Sequence, residues 1–471
     1  MGTRRRIPGP KVHALLTALP LLAAAACRDA GSSGASPGSG QAVTTPNLLV
    51  IVVDDWAESD WEASRGDLDP WNDLVAIDTL AAQGQEWENF YAQPLCNPTR
   101  KTLTFGVFDG ASDSRLCMSG MNSKPVPTET LGEVLRQAGY ATAAFGKWHI
   151  GPSSDATESW GVAPREYGFD SWRALSATNI GGHCGSNDYT DWMRADDGVE
   201  SPTHEYHTEA VGLAFMDWWQ STPGPRFAYV CFQAAHEPFH MPPAHLLPSG
   251  FPQPTSARKR YEAMLVAADS MVATMMSIVD LTDTYVILLG DNGTPRGAVR
   301  SDQDPLKVKW TTLEDGVHVP MVVAGPGVRV GTTRALGHVA DLPATLAGLA
   351  STAAPLAMID SVSLLPVFLD RSQRVRDSLI CDRAGVPTSA VHKERDTCVV
   401  LDAAGALFKA RYLAPSTRGG ATTRAFFNLS LDPREEAPID PNDPTYAARI
   451  QECETRYADF LDRGGSKGGF Q

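Results

Sequence analysis

Long apolar runs are the first thing this chain lacks. The one near the N-terminus, Ala14 to Ala26, is too short to cross a bilayer comfortably, and no later segment resembles a membrane span. Basic charge is also in short supply. Against 55 Asp and Glu stand 40 Lys and Arg, a formal net charge of -15. That balance argues against nucleic acid as a partner. It also provides no global attraction for anions, so an anionic substrate needs a local cationic pocket. No internal repeat is visible, which argues against a repeat architecture.

What remains is globular material. The chain has 471 residues, 43% hydrophobic and 20% charged, enough for a large core and a second, smaller domain. Arg4, Arg5 and Arg6 precede the short apolar run, which ends in "LLAAAAC" at Cys27. A Gly/Ser/Pro-rich tether follows, with nothing that could form a core. Residues 1–27 therefore resemble a bacterial lipoprotein signal with Cys27 as the lipidated residue, and 28–45 a flexible linker. The other reading is a soluble secreted protein cut near Ala26. Both place the protein outside the cytoplasm, in the periplasm or at the cell surface, and the only membrane association expected is through that lipid.

The chain carries eight Cys. Beyond Cys27 and Cys96 these are Cys117, Cys184, Cys231, Cys381, Cys398 and Cys453. An exported protein can pair some of them, and Cys381 with Cys398 is the expected C-terminal bridge. Cys231 sits inside an apolar run and reads as a small buried hydrophobe.

Four apolar runs end in polar clusters. "NLLVIVVDD" ends in Asp54 and Asp55, "YATAAFGKWH" in Lys147 and His149, "RFAYVCFQAAH" in His236, and "TYVILLGDN" in Asp291 and Asn292. Continuous runs of this kind are buried strands. Helical patterns lie between them: "TETLGEVLRQAGY", with Thr128 as cap and Gly139 as stop, and the longer "RYEAMLVAADSMVATMMSIVD". The alternation predicts an α/β fold with a central, mostly parallel mixed sheet flanked by helices. After about residue 355 the text changes to short strands and a terminal helix. The expected division is a catalytic domain over 46–354 and a smaller α+β subdomain with a short antiparallel sheet over 355–471.

Open α/β sheets bind ligands beyond the carboxyl ends of their strands. Asp54, Asp55, Asp291 and Asn292 are hard oxygen ligands suited to Ca²⁺ or Mg²⁺ and poorly suited to zinc. In a regular strand adjacent side chains point to opposite faces, so Asp54 and Asp55 share an ion only if the strand ends there. Lys147, His149, His236 and Lys309 supply cations and proton-transfer groups. The stretch "CNPTRKTLTFG" (96–106) adds a nucleophile. Pro98 fits the first turn of a helix, which places Cys96 at a helix N-terminus, where backbone N–H groups favour an anion. Arg100 adds a planar fork for oxyanions.

Taken together these stretches resemble the type I sulfatases of the alkaline phosphatase superfamily. The likeness rests on "PNLLVIVVDD", the C-x-P-x-R of "CNPTR", "GKWHIG", "FAYVCFQAAHEPFHMPP", "YVILLGDNG", "KWTTLEDGVHVPMVVAGPGV" and "FFNLSLDPREEAP", in order from Pro46 to Pro438. It implies that a formylglycine-generating enzyme converts Cys96 to formylglycine, whose hydrate attacks sulfur and then expels sulfate. It implies Asp54, Asp55, Asp291, Asn292 and the modified Cys96 as metal ligands. It places Arg100 beside Cys96, sets Lys147, His236 and Lys309 around the sulfate, and makes His149 the base. His236 and Lys309 become the candidate acids for the leaving group. The substrate implied is a sulfated small molecule or glycan. Departures are Thr99 for the usual Ser, no Gly after the Asp pair, Gln233 where relatives carry a His, and "EDG" for "EGG". A phosphonate monoester hydrolase or phosphodiesterase on the same site is the nearest alternative, and a non-catalytic sulfoglycan-binding lipoprotein the more distant one. Trp160, Trp172 and Trp192 are equally readable as stacking platforms at the pocket mouth or as core anchors.

Overall fold

The structure is a computed structural model that describes residues 45–66, 71–108, 129–150, 163–180, 188–253, 255–354, 358–382, 394–413 and 423–463. The signal with Cys27, nearly all of the linker, and Thr128, Cys117, Cys184 and Trp160 lie outside them.

The strands are Asn47–Val53 (β1), Gln85–Trp87 (β2), Phe90–Tyr91 (β3), Ala141–Lys147 (β4), Ser171–Ser176 (β5), Trp192–Asp196 (β6), Val199–Thr203 (β7), Arg226–Phe232 (β8), Thr284–Gly290 (β9), Met321–Ala324 (β10), Gly331–Thr333 (β11), Gly337–His338 (β12), Ser378–Asp382 (β13), Glu394–Leu401 (β14), Leu407–Leu413 (β15) and Thr423–Asn428 (β16). The helices that matter below are Glu58–Gly66 (α1), Val75–Gln83 (α2), Cys96–Phe105 (α3), Leu131–Gln137 (α4), His207–Ser221 (α5), Ala257–Met276 (α6), Glu314–Val317 (α7), Leu342–Leu349 (α8) and Ala447–Asp462 (α9).

A 10-stranded sheet runs β11-β2-β10-β9-β1-β8-β4-β5-β6-β7. Its centre, β9-β1-β8-β4-β5, is parallel, while β10, β6 and β7 join antiparallel. Every residue of β1 is buried because both faces of the sheet are covered. Leu49, Ile51 and Val53 meet the layer that contains α2, α5 and α6. Leu48, Val50 and Val52 meet the layer that contains α3, α4 and α8. The mostly parallel mixed sheet between helices is the architecture expected from the sequence.

The second sheet is antiparallel, in the order β13-β14-β15-β16. Opposed residues share a face and neighbours alternate. Cys398 pairs with Ile380 and Ala410, and on their side α9 lays down Cys453, Tyr457 and Phe460, with Tyr457 stacked on Tyr412 at 3.6 Å. Cys381 pairs with Thr397 and so projects to the opposite face. The expected Cys381–Cys398 bridge is therefore not formed, and both are free thiols. Cys231 is a buried free thiol, as its apolar run implies.

Two helix ends refine the expectation. Thr130 caps α4, because Glu133 three residues on returns the bond in a capping box. Gly139, at φ 91, ends that helical turn.

Candidate active site

The neighbouring parallel strands β9, β1, β8 and β4 end along one edge, and the polar clusters stand there. β1 stops at Val53, and Asp55 adopts a left-handed backbone with φ 58. That turn is what lets consecutive Asp54 and Asp55 face one point, a conformation uncommon for a residue with a side chain. Asp291, after β9, receives the Asp55 N–H on Oδ1 at 3.1 Å. Asn292 donates from Nδ2 to Asp55 Oδ1 at 2.7 Å.

Helix α3 begins at Cys96, and Gly106 terminates it at φ 64. Arg100 lies one turn in and is fully buried. Its Nε and Nη2 donate to Asp291 Oδ2 at 3.1 and 2.8 Å, and its Nη1 donates to the Lys147 carbonyl at 2.6 Å. Thr99 donates to the Asp291 carbonyl at 2.6 Å. Only its hydroxyl is needed for that bond, which accounts for Thr in place of Ser. Cys96 Sγ lies 3.2 Å from His149 Nδ1. His149, like Asp55, has a left-handed backbone, φ 52.

Lys147 pairs with Asp54 and Lys309 with Asp55, all four buried. Burial would raise Asp54, but the Lys147, Lys309 and Arg100 cations outweigh it and hold the carboxyl well below its usual range. Burial, opposed by Lys309 and reinforced by Asp54 and Asp291, pushes Asp55 up to about 7. Burial works against the charge on Lys309, yet Asp55, Cys96 and Asp54 keep its proton bound far into the alkaline range. Burial together with Lys147 and Arg100 keeps His149 neutral, and burial with Lys309 and Lys147 does the same for His236. His236 Nδ1 lies 2.8 Å from the Glu237 carbonyl, so Nδ1 carries the hydrogen and Nε2 holds the lone pair. Burial raises the Cys96 thiol above its ordinary value despite the nearby lysines.

One observation tests for a cation. Asp54 Oδ1, Asp55 Oδ2 and Asn292 Oδ1 are buried and have no hydrogen-bond partner. The ligand atoms of Asp54, Asp55 and Asp291 all lie within 4.8 Å of one another. Buried oxygens are rarely left unpaired, and converging hard oxygens fit Ca²⁺ or Mg²⁺.

All the residues expected at the site from sequence thus converge. Several further groups support the site. Tyr261, from α6, donates its hydroxyl within reach of both the Asp55 carbonyl (2.8 Å) and Asp60 Oδ2 (2.9 Å). Asp60, with Arg258, Arg300 and Thr294 around it, shapes the loop that lacks the family glycine. Asn97 donates to the His149 carbonyl at 2.7 Å. The Tyr189 hydroxyl reaches the carbonyls of Gln233 and His236 at 2.7 and 2.8 Å. The Asp60 carboxylate in "WAESD" was the one available signal, since a lone Tyr in a helix has none. The Gln233 amide is buried with both polar atoms unpartnered. Trp172 and Trp192 are fully buried and serve as core anchors.

Comparison with known proteins accords with this geometry. A family model described as Sulfatase matches residues 46–352. N-acetylgalactosamine-6-sulfatase of Sus scrofa is 30% identical over 383 residues, 72% of this chain and 68% of that protein. Arylsulfatase G of Rattus norvegicus is 25% identical over 480 residues, 88% of this chain and 86% of that protein. The crystal structure of Ps i-CgsB in complex with k-i-k-neocarrahexaose has the same fold, with a TM-score of 0.71 at 20% identity, covering 91% of this chain and 95% of that one. With its matched segment spanning most of the sequence and its strand-end carboxylates, cations and Cys96 brought together, the chain belongs to the sulfatase family, alkaline phosphatase-like hydrolases of sulfate esters.

Proposed function

We propose that this chain hydrolyses a sulfate monoester at Cys96 after conversion of that residue to formylglycine, with a divalent cation at the strand-end carboxylates. The observation that carries the reading is the set of unpartnered buried oxygens on Asp54, Asp55 and Asn292, set among Arg100, Lys147 and Lys309 around one Cys. Asp54, Asp55, Asp291 and Asn292, with the modified residue 96, would hold Ca²⁺ or Mg²⁺, and such a cation would supply charge neutralisation to the sulfate and a lowered hydroxyl pKa. The modification supplies two geminal hydroxyls, one to attack sulfur and one to expel sulfate. A thiol raised by burial is a poor nucleophile in its own right, which favours a modified residue.

The remaining roles fall to side chains. Arg100 fixes the N-terminal turn of α3 against Asp291 and so aims residue 96. Lys147 and Lys309 present positive charge to the sulfate oxygens. His149 Nδ1, 3.2 Å from Cys96 Sγ, is placed to take a proton from a group on that side chain. Lys309 retains its proton and can deliver it to the leaving oxygen; His236, neutral with its Nδ1 hydrogen on the Glu237 carbonyl, serves as the second acid only after its Nε2 has taken up a proton.

The substrate class is a sulfated glycan or small molecule, supported by the names of the sulfatase relatives. Maturation takes the formylglycine-generating enzyme as partner. Export to the periplasm or cell surface, with a lipid on Cys27, remains the proposed location. The second sheet and α9 make up the proposed C-terminal subdomain of 355–471, beside the catalytic 46–354.

The test is made on protein co-expressed with the formylglycine-generating enzyme. Peptide mass spectrometry is expected to find an aldehyde at residue 96, and ion chromatography to find sulfate released from aryl or glycan sulfates. An unmodified Cys96 in active protein overturns the mechanism. Preference for a phosphonate or phosphodiester over sulfate overturns the substrate class.

A further inference from the structure

Ten of the eleven tryptophans lie in the described residues, and only Trp310 is exposed, at 42%. Its backbone is left-handed, φ 80, a conformation disfavoured for a bulky side chain and concentrated at functional sites. Two bonds fix it there. The Trp310 N–H donates to the Pro94 carbonyl at 3.1 Å, two residues before Cys96, and the Lys309 N–H to the Thr294 carbonyl at 3.0 Å, two residues after Asn292. Lys309 is buried and reaches Asp55 inside the pocket. The next residue turns outward beside the chain that leads into Cys96. Among the described residues the indole stacks on no other ring.

With the sulfate drawn into the cationic pocket, the alcohol that carries it must project outward, and Trp310 is the exposed neighbour of the buried Lys309. Resting on the sulfatase reading above, we infer that Trp310 is a specificity-determining residue whose indole face stacks on a six-membered ring of the leaving alcohol. The substrate class is then a cyclic sulfate ester, a pyranose or an aryl sulfate, rather than an acyclic alkyl sulfate. The exposed part of the indole, held in a backbone conformation unfavourable for a bulky side chain, gains a partner from a flat ligand face.

The test compares wild type, W310A and W310F on a pyranose 6-sulfate, p-nitrophenyl sulfate and ethyl sulfate. The expected result is that kcat/KM for a cyclic ester relative to ethyl sulfate falls about tenfold in W310A, through KM, and that W310F restores most of it. Which cyclic ester shows the loss identifies the ring as sugar or aryl. Equal loss on all three esters, or no loss on either ring, overturns the inference. Absence of sulfate release by wild type from every ester is a failure of the sulfatase reading instead. Stacking is then read by calorimetric binding of the cyclic esters to the Cys96→Ala protein, where an affinity unmoved by W310A overturns it and a tenfold loss upholds it.

Discussion

At the scale of single residues, Arg100 shows why the chemistry tolerates little change. One guanidinium satisfies Asp291 and caps the Lys147 carbonyl while wholly buried. In Arg100→Gln, Asp291 stays buried without its ion pair. Such a loss costs about 3–5 kcal/mol, and loss of the electrostatic scaffold lowers kcat by about a hundredfold or more. Denaturant unfolding and steady-state kinetics check both, and a variant with wild-type values on either would refute the role given to Arg100. His207 supplies a pH effect. Burial first, then Lys147 and Arg194, push its pKa down to about 3, with Nε2 on Ser176 Oγ at 3.1 Å. The unfolded chain takes up that proton below about 6.5 and the native one does not, so stability falls on acidification between those values by about 1.4 kcal/mol per pH unit. His207→Gln is expected to flatten the slope of unfolding free energy between pH 6 and pH 4, measured by chemical denaturation. An unchanged slope would refute it.

At the scale of elements, the second sheet reaches the site from behind. Lys409 of β15 is buried on the face opposite α9. It meets Glu314 at 2.8 Å and Glu435 at 3.3 Å, and Glu435 in turn accepts the Glu314 N–H, at the start of α7, at 2.9 Å. Thr397 bonds the Thr312 hydroxyl at 2.7 Å on the same side. These contacts hold the segment that carries Lys309. Asp382, at the end of β13, exchanges bonds with the Gln93 side chain, three residues before Cys96. Lys409→Met leaves the buried Glu435 carboxylate facing the half-buried Glu314 without their shared cation, with an expected loss of about 3 kcal/mol and a fall in kcat larger than any change in KM. Adding Glu435→Gln is expected to restore part of the stability; urea titrations of the single and double variants decide this. Helix α2 teaches the limit of local reading. Leu74 at its N-cap offers no side-chain bond, and the cap comes from Asp269 on α6, which takes the Ala76 and Ile77 N–H groups at 3.0 and 2.8 Å across sequence separations of 193 and 192. No pattern near residue 75 announces that.

For the whole molecule, the strand-end oxygens should make stability depend on a cation. Binding to the native state alone adds about 2.7 kcal/mol at a hundred times Kd. Chelation is expected to lower the melting temperature and abolish sulfate release, with Ca²⁺ or Mg²⁺ restoring both, and Asp54→Asn is expected to lose that response. A melting curve indifferent to chelator and cation would refute the site. What the sequence determined alone were features with short-range causes. Buried strands read as continuous apolar runs, and the start of α3 reads from Pro98. The residue types at each strand end follow from where those runs stop. What only the tertiary structure decided were relations between distant segments. Asp55 finds Asp291 at a separation of 236 residues, Cys381 and Cys398 are set on opposite faces by strand register, and among the described residues Trp310 is exposed while Trp172 and Trp192 are buried. Periodicity encodes which way a residue points along its own element, but partners in space are set by how sheets and helices pack, and packing is written across the whole chain.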